Sequence, residues 1–188
     1  PLARAYADEA VATQAVDGVT TSSASQPSMM AIMLAQLDLR PGHRVLEIGA
    51  GTGYNAALMA RLVGPLGHVV SVDIDADLVD GAARHLAAAE VDDVELVCGD
   101  GALGHPPGAP YDRIVLTVGS GDVRPEWVEQ LAPGGRLLLP LAPLVALAVA
   151  GLAAPWLQTA MPTRAILALG LILVLAWPPA IQAAQGQL

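Results

Sequence analysis

The sequence predicts an α/β fold: a doubly wound, mostly parallel sheet with helices on both faces. Three features point there. From Arg44 onward, short apolar runs alternate with stretches of helical periodicity. A glycine-rich turn, an aspartate and a Gly–Asp–Gly turn then stand at the ends of successive apolar runs. In a sheet of this kind, ligands lie at the carboxyl ends of the strands. The residues just after each run are therefore the ones to read for chemistry.

Taken in order, residues 1–20 are Ala-rich and mildly amphipathic, with no secretory pattern of basic and apolar regions. Residues 20–28, TTSSASQPS, read as a hydroxyl-rich loop. A helix is expected from Pro27 to Leu39, because Pro27 suits a first turn and Met30, Met33, Leu34 and Leu37 recur at helical spacing. Arg44–Ile48 reads as a buried strand and Tyr54–Val63 as a helix behind the glycine turn. His68–Asp73 is a second strand, followed by a helix from Ala76 to Glu90. Val94–Cys98 and Arg113–Val118 are the third and fourth strands, Glu126–Leu131 a short helix, and Arg136–Leu139 the start of a fifth strand. Cys98, inside a strand, reads as a small buried apolar residue.

Composition divides the chain. It has 188 residues, 54% hydrophobic and 14% charged. All 18 acidic residues fall between Asp8 and Glu129, and eight of the nine basic residues, all arginine, lie at or before Arg136. Residues 1–136 thus carry a net charge of −10, and Arg164 is the sole charge beyond. An acidic domain without a basic cluster argues against nucleic acid, whose phosphates need cationic side chains. The apolar content excludes disorder, and the single Cys98 excludes a disulfide scaffold or a multi-cysteine zinc site. No metal site is expected, because His43, His68, His85 and His105 show no ligand spacing.

At the first strand end stands Glu47-Ile48-Gly49-Ala50-Gly51-Thr52-Gly53-Tyr54. Glycines at alternate positions permit a tight turn and close backbone approach to a ligand. A dinucleotide fingerprint wants a small residue where Tyr54 stands, so the turn suits a nucleoside ligand without a pyrophosphate. Asp73 ends the second strand, where a carboxylate can accept ribose hydroxyls. Asp75, Asp77 and Asp80 behind it read as solvated loop acids. Asp100, between Gly99 and Gly101, can meet an exocyclic amine of a base.

VLEIGAGTGYNAA (45–57), VVSVDID (69–75), GDG (99–101), YDRIVLTVG (111–119) and QLAPGGRLLLP (130–140) resemble the class I S-adenosylmethionine-dependent methyltransferases, which are Rossmann-like. TSSASQPSMMAIML (21–34) narrows the resemblance to the protein-L-isoaspartate O-methyltransferase family, over residues 5–140. The resemblance implies S-adenosyl-L-methionine as cofactor and a protein or peptide bearing an aspartyl or isoaspartyl carboxylate as substrate. It implies that Gly49, Gly51 and Gly53 cradle the methionine part and that Glu47 orients that loop. Asp73 would hold the ribose, and Asp100 with Gly101 would meet the adenine. Ser25 aligns with the family's active-site hydroxyl, Ser22 and Ser23 being close alternatives, while Gln26 and Pro27 shape the loop. Repair of a damaged protein and maturation of a peptide share this chemistry.

The resemblance stops at residue 140, giving a methyltransferase domain over 1–140 and a hydrophobic tail over 141–188. Residues 137–157 are 21 uncharged positions, about enough to cross a hydrocarbon core of ~30 Å. Three readings of the tail stand side by side. It is a membrane anchor or hairpin within 137–180, a fusion or frameshift product replacing the family's C-terminal strands, or a buried substitute for them. The expected location is cytoplasmic, with the tail as a possible membrane tie. The alternative to an enzyme is a membrane-tethered module that binds the cofactor without catalysis.

Overall fold

The computed structural model describes residues 7–140. The 141–188 tail of the domain division, and most of the membrane stretch at 137–180, lie outside the described residues. Among the described residues, no helix is long and apolar enough to cross a membrane. Residues 7–118 and 123–139 form one compact unit, and residues 119–122 and 140 belong to a second. The account below concerns the first.

That unit contains β1 (Val11–Val16), β2 (Val19–Ala24), α1 (Pro27–Leu37), β3 (Arg44–Ile48), α2 (Tyr54–Val63), β4 (His68–Asp73) and α3 (Ala76–Ala88). It continues with β5 (Val94–Cys98), β6 (Tyr111–Leu116), α4 (Pro125–Glu129) and β7 (Leu131–Leu138). Five strands form one parallel sheet in the order β5-β4-β3-β6-β7. The order reverses between β3 and β6, so the turn after β3 opens at the switch point, where such sheets bind ligands.

Both sheet faces are buried, as a parallel sheet requires. Val45, Val69 and Val115 point to one face, where they pack with Leu37, Ala56, Met59 and Val63 of α1 and α2. Their neighbours Leu46, Ile48, Val70, Val72, Ile114 and Leu116 point to the other, with Tyr111 and Trp127. This alternation is the period-two geometry of a strand. Helix α1 is held at its C-terminal end by arginines from the sheet. Arg113, 8% exposed, donates to the carbonyls of Leu37 and Asp38, and Arg136 to that of Gln36. Cations there complement the free carbonyls and the helix dipole.

The N-terminal region departs from expectation. Residues 11–16 and 19–24 form an antiparallel hairpin, so the expected loop over 20–28 is strand as far as Ala24. Its turn is Asp17-Gly18, both with positive φ (51° and 80°), which is the pairing a two-residue hairpin loop favours. Helix α1 stops at Leu37 rather than Leu39 because Asp38 turns left-handed, with φ 52°. Strand β7 starts at Leu131 rather than Arg136, running through Pro133-Gly134-Gly135, and an irregularity in the pairing between Tyr111 and Arg113 accommodates them. Cys98 is exposed rather than buried. It ends β5, an edge strand.

Candidate functional site

Three strand ends converge on Asp73. Its carbonyl accepts from the Gly99 N–H at 2.9 Å, and its Oδ2 accepts from the Gly51 N–H at 2.9 Å. Oδ1 accepts from the Asp75 N–H at 3.2 Å. The last residue of β4 therefore fixes both the glycine turn after β3 and the Gly99-Asp100-Gly101 turn after β5. Among the described residues each carboxylate oxygen has one donor, which leaves acceptor capacity on both.

The three glycines of the turn serve different purposes. A Cβ on Gly49 would lie 2.5 Å from Val118 Cγ1 and 2.6 Å from Thr117 Oγ1. A Cβ on Gly53 would meet Ala82 Cβ of α3 at 3.1 Å. Both are required by packing inside the protein. Gly51 differs: the nearest atom to a Cβ there is Ser22 Oγ, at 3.9 Å. Of the three, Gly51 alone leaves space for something outside the fold.

Glu47 lies fully buried on the face covered by α2. Its Oε2 accepts from Ser71 Oγ at 2.6 Å and its Oε1 from Asn55 Nδ2 at 2.8 Å. Burial pushes its carboxyl up to about 7, against the two hydrogen bonds, with the nearby Asp73 charge adding to the rise. Being sealed from solvent, Glu47 reaches the turn through Asn55, in the first turn of the helix that the glycines open.

Asp100 is exposed, and its Oδ1 accepts from the Ala102 N–H at 2.9 Å, capping a short 3-10 turn. Gly101 packs on β3, since a Cβ there would lie 2.5 Å from Ile48 Cγ2. Its carbonyl accepts from the Trp127 indole N–H at 2.9 Å. Beside these acids, Ile74 and Leu103 are large apolar residues 75% and 57% exposed.

Ser25 stands half-buried at the junction of β2 and α1. That junction is pinned by Asp8, whose carboxylate accepts from the Ser28 N–H at 2.9 Å and from Gln26 Nε2 at 3.1 Å. The Ser28 N–H, with help from Gln26, holds the Asp8 carboxyl below its usual range. Of the three candidate hydroxyls, Ser22 is the one placed beside the glycine turn, through Gly51. Asp75 is not a free loop acid. It accepts from Gln14 Nε2 at 3.0 Å and caps α3 by accepting from the Asp77 N–H, and these two bonds, Gln14 first, hold its carboxyl low.

Sequence reasoning missed Trp127, Asn55, Ser71, Gln14 and Asp8. Trp127, Ser71, Gln14 and Asp8 act through partners at least 18 positions away, whereas Asn55 meets Glu47 across only 8. Asp8 lies 19 positions before Pro27, beyond the whole hairpin, so nothing local marked it as the support of a helix start that lacks its own capping side chain.

The family model for protein-L-isoaspartate(D-aspartate) O-methyltransferase matches residues 2–148. A protein-L-isoaspartate O-methyltransferase of Methanopyrus kandleri is 49% identical over 118 residues, which are 62% of this chain and 52% of that protein. A solved protein-L-isoaspartate O-methyltransferase superposes with a TM-score of 0.72 at 41% identity, over 78% of this chain and 46% of that one. An O-methyltransferase of Streptomyces achromogenes involved in tomaymycin synthesis, solved in complex with SAM, matches at 25% identity and a TM-score of 0.55. That match covers 70% of this chain and 62% of the other. The chain spans about half the length of the curated relatives it matches. The strand order, the turn at its switch point and the family match together place this chain in the protein-L-isoaspartate(D-aspartate) O-methyltransferase family.

Proposed function

We propose that this chain binds S-adenosyl-L-methionine and methylates an isoaspartyl or aspartyl carboxylate of a protein or peptide. The observation that carries the reading is the convergence of three strand ends on Asp73 beside the open space at Gly51. The residues fit such a ligand. Gly51 leaves room for the methionine part, and the spare acceptor capacity of Asp73 suits ribose hydroxyls. Ile74 and Leu103 offer the apolar surface that an adenine ring would cover, next to Asp100 and Gly101 for its polar edge. Gly49 and Gly53 shape the turn by packing, and Glu47 supports it from beneath.

The cofactor, when bound, supplies an electrophilic methyl group on a sulfonium. The chain's own task is placement. A carboxylate of pKa about 4 is ionised at pH 7, so no strong base is needed. Ser25 would fix one substrate oxygen by donating its hydroxyl proton as a hydrogen bond, and Asp8 would hold the loop that carries Ser25. Catalysis is then largely the entropy of alignment.

The test is methyl transfer by the full chain to paired peptides that differ only in an isoaspartyl or a normal aspartyl linkage. Turnover of at least one peptide is expected, and Ser25→Ala should lower it about tenfold or more, the worth of one hydrogen bond to a charged group. Transfer to neither peptide, with cofactor binding intact, would favour a binding module without catalysis and overturn this reading.

A further inference from the structure

The β1–β2 hairpin stands apart from the five-stranded sheet. A two-stranded ribbon alone is marginal in water, so whatever ties it down decides whether it keeps its place. Its pairing register shifts on both sides of Gln14, between Ala12 and Gln14 and between Gln14 and Ala15. Irregularities of this kind re-aim a side chain. Here the Gln14 side chain is aimed across to α3: Nε2 donates to Asp75 Oδ2 at 3.0 Å, while Oε1 accepts from Thr21 Oγ1 at 2.9 Å. Both ends of the amide are engaged, and the carboxylate requires the Nε2 end to face it.

Hydrogen bonds continue from there into the site. The Asp75 N–H donates to Asp73 Oδ1, and the Gly51 N–H donates to Asp73 Oδ2. On the hairpin itself, Thr13 Oγ1 donates to Ser22 Oγ at 3.1 Å. Ser22 Oγ in turn stands 3.9 Å from the Cβ position of Gly51. Hydrogen bonds therefore link the hairpin to Asp73 and on to the Gly51 N–H, while Ser22 adds proximity to Gly51 without a bond. Among the described residues, the one side-chain tie from the hairpin to the Asp75 cap is charge-assisted, the stronger kind of hydrogen bond.

We propose that Gln14 is a positioning residue that latches the β1–β2 hairpin to Asp75 and thereby sets the wall beside Gly51 and Asp73. Its consequence for ligand affinity rests on the reading of that space as the cofactor site. Gln14→Glu brings two carboxylates together where an amide met one. It should weaken binding of S-adenosyl-L-homocysteine by about tenfold, the scale of one like-charge contact near a surface. Adding Asp75→Asn returns an amide–carboxylate pair with its polarity reversed, and that amide keeps an oxygen for the Asp77 N–H. Affinity should recover to within about threefold of the unaltered chain, a coupling that independent sites do not show.

The experiment uses the full chain in three forms: unaltered, Gln14→Glu, and Gln14→Glu with Asp75→Asn. Calorimetry with S-adenosyl-L-homocysteine reads affinity, and amide hydrogen exchange without ligand reads the hairpin and the Gly51 N–H. Faster exchange and weaker binding in the single variant, both reversed in the double, is the expected result. Unchanged exchange in the single variant, or no recovery in the double, overturns the latch. If the unaltered chain does not bind while exchange follows the expected pattern, the latch stands and the cofactor reading fails.

Discussion

Gly49→Ala should destabilise the fold by about 2–5 kcal/mol, the largest effect of any single substitution in the glycine turn. Two costs add. The backbone there has φ +103°, which costs an alanine roughly 1–2 kcal/mol. The new methyl would also sit 2.5 Å from Val118 Cγ1 and 2.6 Å from Thr117 Oγ1. Thr117 has little freedom to retreat. Its N–H donates to the Ile48 carbonyl at 2.9 Å, and its hydroxyl lies 2.6 Å from the Gly49 carbonyl. Overpacking of this sort adds about 1–3 kcal/mol. Gly51→Ala makes the contrast: φ is +51° and nothing lies nearer than 3.9 Å, so folding should lose only about 1 kcal/mol. Its methyl would instead occupy the space assigned to the ligand. Denaturant midpoints and ligand titrations of the two variants separate the cases. Gly49→Ala should lose stability, and Gly51→Ala should keep most of it while losing affinity. Equal stability of the two would contradict the packing reading.

Glu47→Gln should change how stability depends on pH by up to about 3 kcal/mol. The Glu47 carboxyl is raised to about 7 in the fold from an ordinary value of 4.5. The native state therefore holds its proton longer than the unfolded chain does. Glu47's contribution is complete below about pH 4.5 and is lost as pH rises through about 7. Glutamine imitates the protonated form: its oxygen can accept from Asn55 Nδ2 and its amide can donate to Ser71 Oγ. His43 works in the other direction, since burial lowers its imidazole, and so the difference between the two proteins isolates Glu47. That difference should favour the variant increasingly from pH 5 to pH 8. A parallel pair of stability curves would refute the assignment. Asn55 Oδ1 is buried and meets no hydrogen-bond partner among the described residues, and a turn of that amide would offer the oxygen to a protonated Glu47.

The sheet was largely legible because its signals are local. Arg44–Ile48, Tyr54–Val63, His68–Asp73 and Val94–Cys98 have the bounds that their apolar runs and turns imply. Gly49, Gly51, Asp73 and Asp100 could be singled out because chemistry in such a sheet concentrates after strands. The hairpin was also written in the chain, as Asp17-Gly18 between two valines, but the alanine content of residues 1–20 obscured the alternation. Cys98 went wrong for another reason: which strand lies at an edge depends on strand order, and no local pattern carries that. The same holds for the supports of the site. Gln14 meets Asp75 across 61 positions, Trp127 meets Gly101 across 26 and Ser71 meets Glu47 across 24. Pairings at such distances are products of topology.

The most direct measurement of the central claim is titration of the full chain with S-adenosyl-L-methionine, beside its Asp73→Ala variant. Saturable one-to-one binding is expected for the unaltered chain. The variant should bind about a hundredfold more weakly, because it loses charge-assisted acceptors for the ligand and the tie to the Gly51 N–H. Equal affinity of the two proteins, or no binding by the unaltered chain, would contradict the placement of the cofactor at this convergence of strand ends.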